Sequence, residues 1–410
     1  MTERRSESPA VNRAFPLSRL RLHLVPEQPL HLPTHNKGNS LRGGFGSAFR
    51  KLVCVDLRWE CAACSLRYTC PYTKVFNPFI PPDAAQFTGN QNIPRPFVVK
   101  PPLSTRTTYA AGDPLVFDLV LIGQAIDYLP YFIVAFRELG ASGFGLNRVR
   151  VQLARVDSIG ADGAPTTVYE ASTNWVRPAP PILLEVAAGE SLPPQRSLSP
   201  NEQALRDGPE KMGPPQGERS ALHSQSKDSE AVRAEALEAC PEPRRRARLL
   251  GVHQPPRETK PEQQACAAHA LTLHFLTPTT LKVGSTLECD GAIVRRPAFH
   301  HILKRLRDRV NALATFYGTG PLDLDFKALG EAAEKVETVD DQTHWVERSR
   351  FSRRRDVLHD LSGFSGRVSF RGELGPFLAL LRLGEYVHVG KNAVFGNGWF
   401  VIEAPPPEHS

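Results

Sequence analysis

Residues 20–30, LRLHLVPEQPL, and residues 271–281, LTLHFLTPTTL, align without a gap, with Leu20, Leu22, His23 and Leu30 matching Leu271, Leu273, His274 and Leu281. Both alternate apolar and polar positions, as a half-buried strand does. The likeness continues downstream. In the first half, Leu41, Phe45, Ala48, Phe49 and Leu52 fall at helical spacing, with Arg42, Arg50 and Lys51 off that face. In the second half, Phe299, Ile302, Leu303, Leu306, Val310, Leu313 and Tyr317 form a longer stripe. Each half ends in a strand-like run, an apolar helical run, a Gly-x-Gly loop (143–145 and 396–398) and a last strand. Leu22 and Leu273 are 251 residues apart, Gly145 and Gly398 253 apart. So constant an offset predicts two copies of one unit: strand, helix, hairpin region, strand, helix, glycine loop, strand. That order suits an α+β chain of tandem ferredoxin-like (RRM-type) domains, each a sheet with helices on one face.

The stretch between the copies reads differently. The chain holds 33 aromatic residues, yet none lies between Trp175 and Phe275. Proline-rich and charged runs fill this stretch, which cannot bury enough apolar surface to offset its chain entropy. The expected organisation is therefore a domain over 12–185 carrying a cysteine cluster, a disordered linker over 190–267, and a domain over 270–404. A short helix over 229–239 fits inside the linker.

Composition bounds the function. Across 410 residues, 41% hydrophobic and 23% charged are ordinary globular values. No apolar run approaches the ~18 residues of a membrane span. The start, MTERRSESPAVNRAF, has no apolar signal core, so the expected compartment is the cytoplasm, with no membrane partner. The net charge of +7 leans toward a polyanionic partner.

Four of the seven cysteines, Cys54, Cys61, Cys64 and Cys70, read C-x6-C-x2-C-x5-C. Four thiolates suffice for a closed tetrahedral structural zinc; free thiols are the competing reading. The run VHVGKNAVFGNGWF at 387–400 places Gly390, Gly396 and Gly398 around Lys391 and Asn392. Glycines let backbone approach a phosphate, although a bend that binds nothing explains them equally well. It is not a nucleotide P-loop, because Asn392 stands where a magnesium-binding Ser or Thr would be needed. Residues 348–355 hold five arginines in eight positions, including Arg353, Arg354 and Arg355, enough to contact RNA phosphates. Among the histidines, His35 lies in a polar loop entering the first helix, beside Lys37. His388 sits in the glycine loop, and His300 and His301 open a helix.

With these segments in hand, the chain resembles a known family. SGFSGRVSFRGELGPFLALLRLGEYVHVGKNAVFGNGWFVIE (362–403) is similar to the C-terminal domain of the CRISPR-associated precursor-RNA (repeat) processing endoribonucleases of the RAMP superfamily. NSLRGGFGSAFRKLVC, the cysteine group ending CPYTKVF, and the run from DPLVFDLVLIG to GFGLNR resemble the N-terminal half of one branch. The resemblance covers about 12–185 and 270–404 and leaves out the middle. It implies cleavage of CRISPR repeat RNA without a catalytic cofactor, by attack of the 2′-hydroxyl. The products would be a 2′,3′-cyclic phosphate and a 5′-hydroxyl. The absence of a carboxylate cluster suited to two metals agrees with this. The expected catalytic group is His35 with Lys37 and Lys51, and the expected RNA contacts are Arg42, Arg353, Arg354, Arg355, Gly390, Lys391, Asn392, Gly396 and Gly398. The family leaves the histidine's position variable, so His300, His301 and His388 stay open. The competing function is a non-catalytic RAMP subunit that binds guide RNA in a CRISPR effector complex.

Overall fold

In the computed structural model, the described residues are 14–80, 93–185, 269–285, 290–352 and 357–403. The expected linker over 190–267, the helix over 229–239 and Arg353–Arg355 lie outside them.

The first copy runs β1 (Ala14–Pro26), α1 (Lys37–Val53), α2 (Pro71–Phe76), β2 (Phe97–Lys100), β3 (Leu115–Ile122), α3 (Leu129–Ser142) and β4 (Val151–Ile159). Its antiparallel sheet has the order β2-β3-β1-β4 and continues into β5 (Pro165–Glu170) and β6 (Trp175–Val176). β7 (Ile182–Glu185) pairs with the start of β1. The second copy runs β8 (Ala270–Thr279), a hairpin of β9 (Leu281–Ser285) and β10 (Asp290–Val294), α4 (Phe299–Tyr317), α5 (Phe326–Glu334) and β11 (Glu337–Val346). A second hairpin follows, β12 (Ser349–Ser352) and β13 (Val357–Asp360), then β14 (Gly363–Arg371), α6 (Leu378–Val387) and β15 (Phe400–Glu403). Its sheet has the order β11-β14-β8-β15. Both copies are thus βαββαβ units with the first strand between the third and fourth, the ferredoxin-like arrangement. Leu22 in β1 and Leu273 in β8 occupy matching central positions, as the alignment requires.

Period-two alternation decides which sheet face is apolar. Leu20, Leu22 and Leu24 of β1 face the helices, where Phe45, Phe49, Phe132 and Phe136 close the core. Phe45 stacks on Phe136 at 4.5 Å, so α1 and α3 meet through aromatic faces. The α4 stripe is buried as expected: Phe299, Ile302, Leu303, Leu306, Val310, Leu313 and Tyr317 all face the second core. One member of the α1 stripe differs. Leu52, in the last turn of α1, is 40% exposed and lines a surface cavity.

The two copies share one compact body. Leu17, Val98, Val120 and Ile122, on the back of the first sheet, belong to the same core as Leu273, Phe275 and Leu381 of the second copy. Lys100, at the end of β2, is buried in this junction. Its ammonium donates to the Glu385 carbonyl at 3.1 Å and lies 4.3 Å over the Trp399 ring. The charge is stabilised by an oxygen and an aromatic face where water cannot reach.

Candidate nucleic-acid interface

The floor of the candidate site is α1. The helix starts at Asn36, whose left-handed backbone (φ 62°) turns the chain so that the Asn39 and Ser40 amides donate to its carbonyl. One face of α1 carries the phenylalanines; the opposite face carries Ser40, Gly43, Ser47 and Lys51 at helical spacing. Gly43 has open space where a side chain would stand. Two cavities of about 660 and 1000 Å³ lie over this face and share Gly43, Ser47, Lys51 and Arg350, forming one long groove.

The second copy supplies the other wall. Arg350 of β12 and His359 of β13 are direct cross-strand partners, so their side chains stand on the same face, and both line the groove. Phe395, from the glycine loop, lies between two guanidiniums: Arg42 of α1 at 5.0 Å and Arg350 at 4.6 Å. Arg42 also lies over Phe76 at 5.4 Å. Cations this close to an aromatic ring are attracted by its π face and keep their charge. Lys51 and Arg95 add to the positive lining. Arg50 also lines the groove, and its guanidinium donates to the carbonyls of Leu57 and Trp59 at 3.0 and 2.9 Å, bracing the cysteine segment.

His35 sits where the copies meet. Its Nδ1 lies 3.2 Å from Nη2 of Arg348, and next to it the Asn36 amide donates to the Ser349 carbonyl at 3.5 Å. Loss of hydration, then the Arg348 and Lys37 charges, hold the imidazole below the ordinary histidine value. Arginine can only donate, so Nδ1 is the acceptor and the neutral ring carries its proton on Nε2. Lys37 is buried, and its ammonium donates to the Ser104 carbonyl within the first copy. Burial pushes that ammonium below the usual lysine range. Lys51 is exposed on the groove floor.

The remaining histidines are elsewhere. His388 is fully buried, stacked on Trp399 at 5.7 Å with its Nδ1 3.1 Å from the Asn397 carbonyl. His300 and His301 open α4, beside Lys304, and α4 contributes nothing to the groove lining.

The glycine loop does a packing task. Gly390, Gly396 and Gly398 all have positive φ (82°, 92° and 72°). Side chains there would overlap Thr280 O, Pro101 and Val389 O respectively. Gly38 of α1 has the same relation to the Phe395 carbonyl. The loop is therefore pressed between β2 and α1, which brings Phe395 and Asn392 to the groove. Asn392 lines the groove and donates to the Asp360 carbonyl at 3.4 Å, bracing the strand that carries His359. Lys391 is exposed, with its amide donating to Thr280 O at 3.0 Å.

The cysteine cluster does not fit the expected zinc site as arranged. No disulfide joins Cys54, Cys61, Cys64 and Cys70. Among the described residues no group of three or more His, Cys, Asp or Glu side chains converges as metal ligands. The Cys54 thiol donates to the Asp56 carbonyl at 3.1 Å, and Cys61 and Cys70 pack against the first core. Close spacing in sequence has gone into two short turns with a 3-10 turn (Cys61–Ala63) between them.

Of the groove residues, reading the sequence did not single out His359 and Phe395, and it reached Arg350 only as part of the arginine run at 348–355. A signal existed: short β-like runs on either side of the arginine cluster mark a hairpin, and a hairpin pairs Arg350 with His359. Among the described residues, no helix is long and apolar enough to cross a membrane.

Two family models match the chain, one within each copy. Residues 273–400 match the family model of the CRISPR-associated endoribonuclease Cas6. Residues 15–181 match a model described as the N-terminal domain of AF_1859. An uncharacterized protein of Archaeoglobus fulgidus is 34% identical over 127 residues, 31% of this chain and 41% of that protein. The chain thus spans well under two thirds of the curated relative it matches. Thermus thermophilus Cas6 superposes with a TM-score of 0.44 at 13% identity, over 95% of this chain and 99% of that chain. A CRISPR-associated protein Cas6 gives 0.39 at 9% identity, over 94% and 98%. The second copy, over residues 273–400, thus carries a domain that matches the model of the CRISPR-associated endoribonuclease Cas6.

Proposed function

We propose that the chain processes precursor CRISPR RNA, cutting within each repeat without a metal, and that domains over about 12–185 and 270–404 flank a linker over 190–267. The observation that carries this reading is the groove between α1 and the β12–β13 hairpin, in which Arg42, Lys51, Arg95 and Arg350 line one channel. A positive channel of this length suits a phosphodiester chain, and the rings beside it suit unstacked bases. The chemistry needs a base for the 2′-hydroxyl, an acid for the leaving 5′-oxygen, and cations for the charge developing on phosphorus. His35, kept neutral, is the base. Its lone pair on Nδ1 is covered by Arg348, and a phosphate that draws the guanidinium away uncovers it. Lys51 and Arg42, on the groove face of α1, stabilise the phosphorane, and Lys37 holds the entry to α1 in place. Arg353, Arg354 and Arg355, Lys391 and Asn392 extend the contact with RNA phosphates. Repeat RNA is the partner in this reading, and a CRISPR effector complex receives the product.

The test is cleavage of cognate repeat RNA by the full chain in excess EDTA. A cut leaving a 2′,3′-cyclic phosphate and a 5′-hydroxyl is expected. Substrate with a 2′-deoxy scissile nucleotide should bind and stay intact. A strict magnesium requirement, or efficient cutting of the 2′-deoxy substrate, would overturn the mechanism. Tight binding with no cut under any condition would point to a guide-RNA scaffold.

A further inference from the structure

Resting on that reading, we propose that His359 is the general acid of the cleavage, protonating the leaving 5′-oxygen while His35 accepts the proton of the 2′-hydroxyl.

Both imidazoles meet the same hairpin. His359 is half-buried in the groove wall, directly across from Arg350, whose guanidinium is held over Phe395. His35 contacts Arg348, two positions from Arg350 along the same run of chain. Arg348 directly precedes β12, and Arg350 lies on it. Two imidazoles gathered at one hairpin can flank one phosphodiester, whose entering and leaving oxygens lie on opposite sides of phosphorus. The hairpin is also held at its base. The Leu361 amide donates to the Arg348 carbonyl at 2.8 Å, the Arg348 amide to Ser362 Oγ at 3.0 Å, and Asn392 to the Asp360 carbonyl. His359 is therefore one residue from a fixed point rather than at a free tip.

The step balances. The phosphate draws Arg348 from His35, and Nδ1 of His35 takes the 2′-hydroxyl proton. The 2′-oxygen bonds to phosphorus as the P–O5′ bond breaks, and the electron pair leaves on the 5′-oxygen. Protonated His359 donates its proton there, giving the 5′-hydroxyl. His35 ends charged and His359 neutral, and exchange with solvent restores both. Arg350 and Lys51 offset the charge on the phosphorane.

Single-turnover cleavage of two substrates tests this: ordinary repeat RNA, and the same RNA with a 5′-bridging sulfur at the scissile bond. A thiolate leaves without a proton, so it dispenses with the acid but not the base. H359A and H359N should slow the ordinary substrate by roughly 10²–10⁴-fold. Both should cut the sulfur substrate within about tenfold of the unaltered protein. H35A should be slow on both. Unchanged affinity for 2′-deoxy RNA shows that each variant is folded. Equal slowing of the two substrates by H359A and H359N, or no slowing of either, would overturn the acid assignment. If the unaltered protein cuts neither substrate, the reading of the chain as a nuclease falls, and this assignment with it.

Discussion

The two copies have the same strand order and differ in what their glycine loops and first helices are used for. In the first copy, Gly143 and Gly145 lie against Arg148, Leu30 and the His31 carbonyl, so that loop closes on its own domain. In the second, Gly396 packs on Pro101 and the Val99 carbonyl, and the loop binds the other copy. The first helices diverge in the same sense. α4 is 19 residues long and buries a continuous apolar stripe. α1 has glycines at 38, 43, 44 and 46 and exposes a polar face. α1 of the first copy and the hairpin and glycine loop of the second line one groove. The groove belongs to neither copy alone.

Two glycines of α1 separate these uses. G38A puts a methyl group into the Phe395 carbonyl and should destabilise the protein by about 1–3 kcal/mol or more, since neither backbone can yield cheaply. G43A meets open space and should stabilise the helix by roughly 0.5–1 kcal/mol. Denaturant melts of the two variants check the pair. Equal effects would mean that the glycine loop is not seated against α1.

A second contrast is electrostatic. Glu403 of β15 and Asp157 of β4 occupy matching places, each beside the matched histidine, His274 or His23. Burial alone would raise the Glu403 carboxyl, but hydrogen bonds from His274 and Arg367 outweigh it and hold it at about 2. A carboxylate whose folded value is depressed contributes stability above its unfolded value and loses it as pH falls through the folded one. E403Q should therefore cost roughly 2–3 kcal/mol at neutral pH, allowing for partial exposure, with the difference shrinking below pH 4.5 and gone near pH 2. A pH-independent difference would assign the effect to packing.

The duplication, the strand order and the α4 core were legible in the sequence because period-two and period-3.6 patterns are set by burial alone. The groove was less so. His35 could be picked out as a loop histidine, yet its partner Arg348 lies 313 residues away and no local pattern joins them. The place of His359 in the groove depends on hairpin register, which sets it opposite Arg350. The glycines at 390, 396 and 398 suggested a phosphate cradle; their positive φ and close backbone neighbours show the packing that requires them. The cysteine spacing matched a metal site, but turn geometry, not spacing, decides where the sulfurs point. A smaller effect follows. Prolonged treatment with a strong zinc chelator should leave the melting temperature unchanged within about 1 °C. A fall of several degrees, reversed by zinc, would show that Cys54, Cys61, Cys64 and Cys70 do gather on a metal.

The composite groove is tested most directly by the salt dependence of RNA affinity, measured with 2′-deoxy repeat RNA so that nothing is cut. Each cation that contacts a single-stranded phosphate contributes about 0.7 to the slope of log K against log salt. K51A from the first copy and R350A from the second should each flatten the slope by about that amount, and the double variant by about twice it. R305A and K327A, on α4 and α5 away from the groove lining, should leave it unchanged. A slope that responds to Arg305 and Lys327 but not to Lys51 and Arg350 would contradict the account.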